Sequence, residues 1–270
     1  MSAELEELRS RAEALEQMLE IYERTVAEQA EKLEKQAEEL RRSNESLEQY
    51  AYVISHDLQE PLRMVSAYSE LLAEQYKGKL DANADKYIGF ASGGARRMQE
   101  LINALLDYSR ITFRGKELAP ADLDSAADDA LRNLALAIEQ ANAVITREPL
   151  GMVLGDRSQL VQLVQNLCGN ALKFRKPEKP LHLRIGGVRE DGHLHLKISD
   201  DGIGIDPRYH QRIFVLFQRL NPKKYAGTGI GLSVCQKIAE RHGGRIWVES
   251  RPGEGATFHI LLRLPAEKTT

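Results

Sequence analysis

The chain has 270 residues, which suits one to three domains, and its 42% hydrophobic and 29% charged residues are typical of a globular protein. A net charge of −3 gives no reason to expect a nucleic acid or an anionic membrane as the main partner. We also predict no membrane span in this chain, because no apolar run is long enough to cross a bilayer and the acidic N-terminus is unlike a signal peptide.

The first 50 residues contain neither glycine nor proline and carry 14 acidic and 7 basic side chains. Their apolar residues recur at a strict spacing of seven, which predicts one seam of a left-handed coiled coil. The seam consists of Leu5, Ala12, Leu19, Val26, Leu33, Leu40, Leu47 and Ile54. A companion row begins with Leu8, Leu15 and Tyr22 and then turns polar. We therefore predict a parallel coiled coil over 1–48 that joins two copies of the chain. We favour a signal-carrying role for it, and a plain dimerisation stalk is the alternative.

The same spacing continues into residues 50–76, where apolar residues at helical intervals predict an amphipathic helix. The segment YKGKLDANA (76–84) contains Gly78 and predicts a loop, and a second amphipathic helix follows it to about Arg110. Two such helices cannot bury both apolar faces within one copy of the chain. Two copies can do so as a four-helix bundle, so we predict an antiparallel helical hairpin over 49–113 in a homodimer.

The stretch YVISHDLQEPLR (52–63) places a histidine and a proline on the first helix. At roughly 100° per residue, His56 points away from the apolar stripe and should face solvent. Pro61 cannot donate to the carbonyl of Asp57, which loosens the helix beside the histidine. A carboxylate from Asp57 or Glu60 can fix the imidazole tautomer and leave Nε2 as a nucleophile. A surface histidine beside chance acids is the alternative interpretation of these residues alone.

From about residue 115 the pattern changes to separate runs of strands and helices. LHLRIGGVREDGHLHLKISD contains two strand patterns joined by Asp191-Gly192, a strong hairpin signal. The other predicted elements are a helix over 121–140, a strand at 143–147, a helix over 156–174, a short helix near 208–217, a helix from GTGIGL to about 242 and a hairpin ending at 264. This order predicts an α+β sandwich over 114–267, in which helices cover one face of a mixed sheet.

One predicted helix carries polar residues at a regular spacing. In LVQNLCGNALKF the amides of Asn166 and Asn170 and the ammonium of Lys173 share one helix face, because they lie four and three residues apart. Amide oxygens suit a hydrated Mg²⁺ ion whose charge is neutralised by phosphates, and the lysine adds a compact positive charge.

Two glycine-rich segments follow. In ISDDGIGI, Asp200 ends a strand, where it can accept a hydrogen bond from an exocyclic amine, and Gly202 and Gly204 let the backbone approach a flat ring. AGTGIGL opens a helix, whose free N–H groups and dipole favour a phosphate. Between them, FVLFQRLNPKKY supplies aromatic residues, Arg219 and two lysines, and its polar part is a candidate lid. Each segment alone is weak evidence, but together and in this order they indicate a nucleotide site.

The two cysteines, Cys168 and Cys235, lie in apolar helical surroundings without metal-ligand spacing. We expect both to be buried, reduced thiols in a cytoplasmic protein. No sensory domain is recognisable in the sequence, so we expect an upstream sensor domain or protein of unknown identity.

The motifs strongly resemble those of the sensor histidine kinases of two-component systems, in particular their phytochrome-like branch. SHDLQEPLR is similar to the phosphoacceptor motif, NLCGNALKF to the asparagine motif, DDGIGI and GTGIGL to the two glycine motifs and FVLF to the phenylalanine motif. The resemblance covers about residues 45–265 in the family's order. It implies a dimerisation and phosphotransfer bundle followed by an ATP-binding domain of the gyrase and kinase type.

The resemblance also implies an activity, which is phosphorylation of His56 by ATP and transfer to an aspartate of a response regulator receiver domain. Asp57 would orient the imidazole or act as its general base, and Asn170 would be the ligand of Mg²⁺. The implied nucleotide-binding residues are Asn166, Asn170, Lys173, Phe174, Asp200, Gly202, Gly204, Phe217, Arg219, Gly227, Thr228, Gly229, Gly231 and Leu232.

Two other functions are weighed against this one. Gyrases, mismatch-repair proteins and a heat-shock chaperone share the ATP-binding fold, but they resemble the C-terminal half alone. Those ATPases activate water with a glutamate where this chain has Asn166, and an amide cannot act as that base. The second alternative is a non-catalytic dimeric scaffold, although every expected ligand type is present.

One residue departs from the family pattern. Relatives with phosphatase activity often have Thr or Asn four residues after the histidine, where a neutral group orients a water molecule. This chain has Glu60 there, and its carboxylate would repel an incoming phosphoryl group. We therefore expect weak phosphatase activity.

Overall fold

The structure, a computed structural model, describes residues 2–113, 117–220, 225 and 227–265. The chain divides into two compact units, Met1–Ala51 and Tyr52–Thr270. The first helix, α1 (Ser2–Tyr76), contributes residues to both units. Within the described residues, no helix combines the length and the apolar character that a membrane span requires.

In the first unit the chain is helical, as the spacing of seven predicts. The described apolar side chains of the seam and its companion row are exposed in the single chain: Leu15, Leu19, Tyr22, Val26, Leu33 and Leu40. A partner helix covers rows of this kind in a coiled coil. The helix is therefore confirmed, and its pairing with a second copy stays a prediction.

The second unit begins with the helical hairpin. Residues 77–81 join α1 to α2 (Ala82–Phe113), and α1 continues through Pro61 without ending. Side chains of the two helices meet where Gln59 Nε2 donates to Asn103 Oδ1 at 2.9 Å and where Arg96 pairs with Glu70 at 2.9 Å. Among the hairpin side chains that the structure describes, five are buried: Leu62, Ser69, Ala95, Leu106 and Ile111. The two predicted helices and their short connection are confirmed.

The remainder of the unit alternates strands and helices. The strands are β1 (Ala119–Asp122), β2 (Val144–Arg147), β3 (Met152–Gly155), β4 (His182–Glu190), β5 (His193–Asp200), β6 (Ile246–Arg251) and β7 (Gly255–Arg263). The helices are α3 (Leu123–Asn133), α4 (Ala135–Gln140), α5 (Arg157–Lys173) and α6 (Gly231–Arg241). Five strands form a mixed sheet in the order β2-β4-β5-β7-β6, in which β2 and β4 alone run parallel. The predicted mixed sheet is confirmed.

Three details of the predicted elements are wrong. The helix over 121–140 is two helices, α3 and α4, which meet at Leu134. The short helix near 208–217 is a pair of 3₁₀ turns, Pro207–Tyr209 and Arg212–Phe214. A separate two-stranded sheet of β1 and β3 was not predicted, since each strand has four residues and Pro120 interrupts the strand signal in β1.

Alternation along the sheet strands fixes which face is buried. Alternate residues of β4, β5 and β7 are almost fully buried: Leu183, Ile185, Leu194, Leu196, Ile198, Phe258, Ile260 and Leu262. They share one core with leucines of α5, namely Leu160, Leu163 and Leu167. The predicted Asp191-Gly192 turn is present, with both residues at positive φ, 48° and 74°, as a two-residue hairpin requires.

The cysteines belong to the same core. Cys168 and Cys235 are free and buried, as predicted. Burial raises the pKa of both thiols to about 12, so neither is a reactive thiolate near neutral pH.

A buried histidine links the end of α6 to the start of α5. His242 is 1% exposed, and its Nε2 accepts from the backbone N–H of Asp156 at 3.0 Å. Its Nδ1 lies 2.7 Å from the carbonyl oxygen of Ile238, so Nδ1 carries the hydrogen and donates a hydrogen bond to that carbonyl. Burial lowers the pKa of His242, because a charged imidazole would lose its hydration. The neutral ring thus joins the two helices that border the site described below.

This burial predicts a dependence of stability on pH. The unfolded chain protonates His242 near its ordinary pKa and the folded chain does not, so stability present above about pH 6.5 falls as the pH decreases. We expect a lower urea midpoint at about pH 5.5 than at about pH 7.5. His242→Gln should weaken that dependence and cost about 1–3 kcal/mol at the higher pH, since a buried N–H loses its acceptor.

The unmodified chain, unfolded in urea at the same pH values, is the reference for the midpoint and for its slope with pH. An unchanged pH slope in the His242 variant would contradict the prediction.

Candidate functional site

A cavity of about 290 Å³ lies at the end of β5, between α5 and the start of α6. Most of the predicted nucleotide-binding residues line it: Asn170, Lys173, Phe174, Asp200, Gly204, Arg219, Gly227, Thr228, Gly229, Gly231 and Leu232. Residues from four separate motifs therefore meet in one place, although some of them are far apart in the sequence.

The face of α5 that reaches the cavity is fixed by the burial of its other face. Asp156 caps the helix by accepting from the N–H of Ser158 at 3.0 Å, which sets where α5 begins. Its leucines are buried in the core: Leu160, Leu163, Leu167 and Leu172. Asn170 and Lys173, one turn apart, are left on the cavity side.

The surroundings of Lys173 disfavour the charged form of its side chain. Its Nζ lies 4.7 Å from the ring centroid of Phe174. Burial lowers the pKa of Lys173, and repulsion from the Arg219 guanidinium lowers it further. Gly227 leaves room for the ammonium, since a Cβ at that position would lie 2.8 Å from Nζ. Because the two cations repel each other, an anion bound between them would be stabilised by both.

Asp200 lies at the C-terminal end of β5, on the wall of the cavity. Burial raises the pKa of its carboxyl group, while the backbone N–H groups of Gly202 and Ala256 oppose that shift by donating to the carboxylate. The N–H of Gly202 lies 2.8 Å from Oδ1. The carboxylate is thus held in one orientation, with capacity left to accept from a ligand amine.

Glycines allow the close approach of backbone segments around the cavity. Gly204 has a φ of 72°, and a Cβ there would overlap the carbonyl group of Arg251. Gly229 has a φ of 77°, and a Cβ there would lie 2.9 Å from the carbonyl oxygen of Gln218. Both positions require glycine for conformation and for space. At Gly231 the nearest contact would be 3.8 Å, so space does not require glycine in the first turn of α6.

The start of α6 presents backbone donors to the cavity. Ile230 occupies the N-cap position and provides no side-chain cap, while Gly231 and Leu232 line the cavity. The N–H groups of a first helical turn lack partners within the helix, and the helix dipole adds positive potential there. This end of the cavity therefore suits a phosphate.

Three predicted binding residues do not line the cavity. Asn166 Nδ2 donates instead to the carbonyl of Gly231 at 3.3 Å, so it ties α5 to α6. Gly202 acts through its hydrogen bond to Asp200, and a Cβ there would lie 2.7 Å from the Phe174 carbonyl oxygen. Phe217 is 51% exposed at a φ of 62°, outside the lining.

Much of the cavity wall was not predicted from the sequence. The additional lining residues are Ala171, Ile203, Ile205, Ile213, Gln218, Leu220, Tyr225, Ala256 and Phe258. Their apolar members have the same hydrophobic signal as core residues, so pattern alone does not separate them. Ile203 and Ile205 lie within DDGIGI, so both could have been predicted as lining residues from that motif. Tyr225 meets the ring of Phe174 at a centroid distance of 4.8 Å, and its carbonyl accepts from Arg219.

The candidate phosphoacceptor lies on α1. The backbone of His56 is helical, and its side chain falls outside the described part of the structure. Asp57 and Glu60 are exposed, and Glu60 Oε1 lies 4.0 Å from the guanidinium of Arg63. Within the candidate lid, residues 221–224 and 226 fall outside the described residues.

The two ends of the cavity have different chemistry. Its apolar walls and the acceptor on Asp200 suit a flat heterocycle with an amine. Lys173, Arg219 and the start of α6 suit a chain of phosphates, and Asn170 adds an oxygen ligand for a cation that binds to phosphates. This combination fits a purine nucleoside triphosphate.

Comparison with family models agrees with this chemistry. Residues 46–114 match the His Kinase A (phospho-acceptor) domain. Residues 155–267 match the Histidine kinase-, DNA gyrase B-, and HSP90-like ATPase family. The two matches follow each other in the order of the motifs.

Relatives point in the same direction. The chain is 44% identical to cyanobacterial phytochrome A of Nostoc sp., over 88% of this chain and 31% of that protein. It is 43% identical to phytochrome-like protein Cph1 of Synechocystis sp., over 88% of this chain and 32% of that protein. The chain therefore spans about a third of the length of these relatives.

Solved structures share the arrangement of elements. Full-length ShkA in complex with AMPPNP matches with a TM-score of 0.61 and 25% identity, over 79% of this chain and 45% of that one. The histidine kinase AdeS of Acinetobacter baumannii shares the fold, with a TM-score of 0.53 and 20% identity over 77% of this chain and 98% of that one. With the two family models in sequence and phytochromes among its relatives, the chain belongs to the sensor histidine kinases and carries their phosphoacceptor and ATP-binding domains.

Proposed function

We propose that this chain is an ATP-dependent protein-histidine kinase, the transmitter of a two-component system. It phosphorylates His56 and then passes the phosphoryl group to an aspartate on the receiver domain of a response regulator. The single observation that carries this proposal is the cavity that joins Asp200, Asn170, Lys173 and the start of α6 in a chain that also has a phosphoacceptor domain.

The charges and hydrogen-bonding groups around the cavity suit ATP. Asp200 accepts a hydrogen bond from the amine of adenine. Because the carboxylate is buried, water competes little for that hydrogen bond. Lys173 and Arg219 repel each other and so gain from a phosphate chain between them. The backbone donors at the start of α6 bind the same phosphates. ShkA, which shares the fold, is described with the ATP analogue AMPPNP bound.

The donor set also fits Mg²⁺. Asn170 places an amide oxygen on the cavity wall one turn from Lys173, and hydrated Mg²⁺ prefers oxygen ligands together with phosphates. Asn170 would hold the ion, which would supply charge neutralisation on the phosphates when bound. Lys173 and Arg219 add to that neutralisation from the protein side.

The transfer step is a displacement at phosphorus. The lone pair on Nε2 of His56 attacks the γ-phosphorus of ATP, the bond to the β,γ-bridging oxygen breaks, and ADP leaves with that electron pair. Asp57, next in sequence, holds the proton on Nδ1 and so keeps Nε2 unprotonated for the attack. A receiver aspartate then displaces the histidine from the phosphoryl group.

A gyrase-like ATPase is the second candidate, since one family model includes gyrase and chaperone ATPases. Asn166 argues against it, because its amide donates to the Gly231 carbonyl and has no basic site to activate water. A non-catalytic scaffold is a third candidate, and the donors and acceptors that line the cavity argue against it.

The state of assembly belongs to the same proposal. A homodimer buries the apolar side chains that α1 leaves exposed, among them Val53, Leu58, Met64 and Leu72. The coiled coil over 1–48 then links the kinase to an upstream sensor. We expect the protein to act in the cytoplasm, where response regulators and ATP are available.

Phosphatase activity should be weak because of Glu60. Its side chain is 81% exposed, and it offers a carboxylate where a neutral donor is needed to orient water. A carboxylate without a proton cannot donate a hydrogen bond, and it repels the phosphoryl group of a bound regulator.

The first test concerns the phosphoacceptor. With radiolabelled ATP and Mg²⁺, His56→Gln should abolish labelling and leave nucleotide affinity nearly unchanged, because glutamine cannot act as the nucleophile. The label on the unmodified chain should be acid-labile and base-stable, as expected for a phosphoramidate. His193→Gln is the control and should keep full labelling. Persistent label in the His56 variant would refute the assignment.

The second test separates nucleotide binding from catalysis. Asp200→Asn should weaken ATP binding by about tenfold or more, because an amide presents both a donor and an acceptor to the adenine amine. Asn170→Asp should leave binding less affected but lower autophosphorylation by about a hundredfold or more, since it adds negative charge beside the phosphates. Titration with a fluorescent nucleotide and initial rates of labelling measure the two effects. Equal affinity of the Asp200 variant and the unmodified chain would mean that the adenine pocket is misidentified.

The third test concerns phosphate release from a phosphorylated response regulator, with ADP omitted. The unmodified chain should release phosphate slowly, and Glu60→Thr should raise the rate by about tenfold or more, because a hydroxyl can orient water. Glu74→Thr, further along α1, is the matched control and should have no effect. Fast release by the unmodified chain would sink the prediction, as would an unchanged rate in a folded Glu60 variant.

A further inference from the structure

The orientation of the Asp200 carboxylate depends on two backbone segments that are distant in sequence. One N–H comes from Gly202, in the loop after β5, and the other from Ala256, near the start of β7. Asp200 and Ala256 are paired across the two strands. If the loop and the strand moved relative to each other, one of the two donors would be lost.

Ser250 connects these two segments through its hydroxyl group. Its Oγ accepts from the backbone N–H of Ile205 at 2.8 Å, in the loop that begins at Gly202. The same hydroxyl donates to the carbonyl of Gly255 at 2.6 Å, one residue before Ala256. One side chain thus fixes the distance between the two segments that hold Asp200.

Ser250 itself does not line the nucleotide cavity, whereas Ile205 and Ala256 do. It lies on β6, opposite Ala256 in the register of the sheet. Any effect of this hydroxyl on a ligand is therefore indirect and passes through the loop, the strand and the carboxylate.

We infer that Ser250 is a positioning residue that holds the Asp200 carboxylate in the orientation needed to accept from the exocyclic amine of a purine base. This inference rests on the proposed function, because it presumes that the cavity binds ATP. It adds a residue outside the nucleotide motifs to the machinery that selects the base.

Removing the Ser250 hydroxyl should also change the pH dependence of ATP binding. Burial raises the pKa of Asp200, and the N–H groups of Gly202 and Ala256 counteract burial. Asp201 raises this pKa further, and Lys176 lowers it. Removing the Ser250 hydroxyl would weaken the hydrogen bonds from these two donors, so burial would raise the pKa of Asp200 further. The pH below which ATP affinity declines should therefore be higher in a Ser250 variant than in the unmodified chain.

The experiment compares two nucleotides on the full chain: ATP and purine riboside triphosphate, which lacks the exocyclic amine. Ser250→Ala should weaken ATP binding by about three- to tenfold and leave the affinity for purine riboside triphosphate almost unchanged. A hydroxyl with a merely structural role would change both affinities by the same factor. Dissociation constants are measured by calorimetry, for ATP also as a function of pH.

Two control variants accompany this comparison. Ser250→Thr retains the hydroxyl and should restore the preference for ATP. Thr257→Val removes a hydroxyl that bonds to Ser199 at 3.0 Å on the same pair of strands, and it should have no selective effect. Urea unfolding of each variant shows that the fold is intact.

The outcomes are distinguishable. An equal loss for both nucleotides, or no loss for either, overturns the role of Ser250 while ATP binding by the unmodified chain still supports the proposed function. Failure of the unmodified chain to bind ATP overturns both. A selective loss for ATP in Ser250→Ala, restored in Ser250→Thr, supports the inference.

Discussion

A carboxylate buried at the end of a strand needs hydrogen-bond donors close by, and meeting that need for Asp200 constrains the architecture around it. One donor requires the chain to turn back at Gly202, directly after β5. The other requires β7 to lie beside β5 with Ala256 in register. Gly255 makes that register possible, because a Cβ there would overlap the carbonyl of Asp200. The place of β5 in the sheet, next to β7, thus follows from the same requirement as the site.

The opposite end of the cavity has an excess of positive charge. Lys173 and Arg219 are two cations close enough for the guanidinium to lower the pKa of the ammonium. A concave site with excess positive charge at one end and a fixed carboxylate at the other orients an asymmetric ligand. Under the proposed function, a nucleotide would bind with its base towards Asp200 and its phosphates towards α6, because the reverse orientation would place phosphates against a carboxylate. The charge distribution of the cavity alone is therefore enough to orient such a ligand.

Much of this arrangement can be predicted from sequence where a residue has a strong local signal. The spacing of seven predicted a helix over residues 1–48, and Asp191-Gly192 predicted a tight hairpin, since both signals are contained in a short stretch of sequence. Asn166 shows where such signals end. It shares a helix face with Asn170 but lies one turn earlier on α5, and the residues of α5 that line the cavity begin at Asn170. Only tertiary packing shows that Asn166 reaches the Gly231 carbonyl instead.

Phe217 and the apolar wall illustrate a second limit. An aromatic residue within a binding motif is easily predicted to contact a ligand, yet Phe217 is half exposed and lies outside the cavity lining. Conversely, Ile213 and Phe258 line the cavity but are predicted as core residues. The sequence shows that an apolar residue is buried, but it does not show whether that residue faces the core or a cavity. Which apolar residues border a cavity depends on how the sheet and helices close around it.

The contact between Gly204 and the carbonyl of Arg251 also affects how this domain can be recombined with its relatives. The two backbones approach so closely that no side chain fits between them, so the loop at 202–205 and the segment at 250–255 have complementary shapes. A chimera that inherits one segment from each of two parents risks placing atoms in the same space or opening a gap beneath the base. Exchanges of nucleotide sites between such kinases should therefore transfer both segments together, with crossover points chosen outside β5 and β7 rather than between the two glycine motifs.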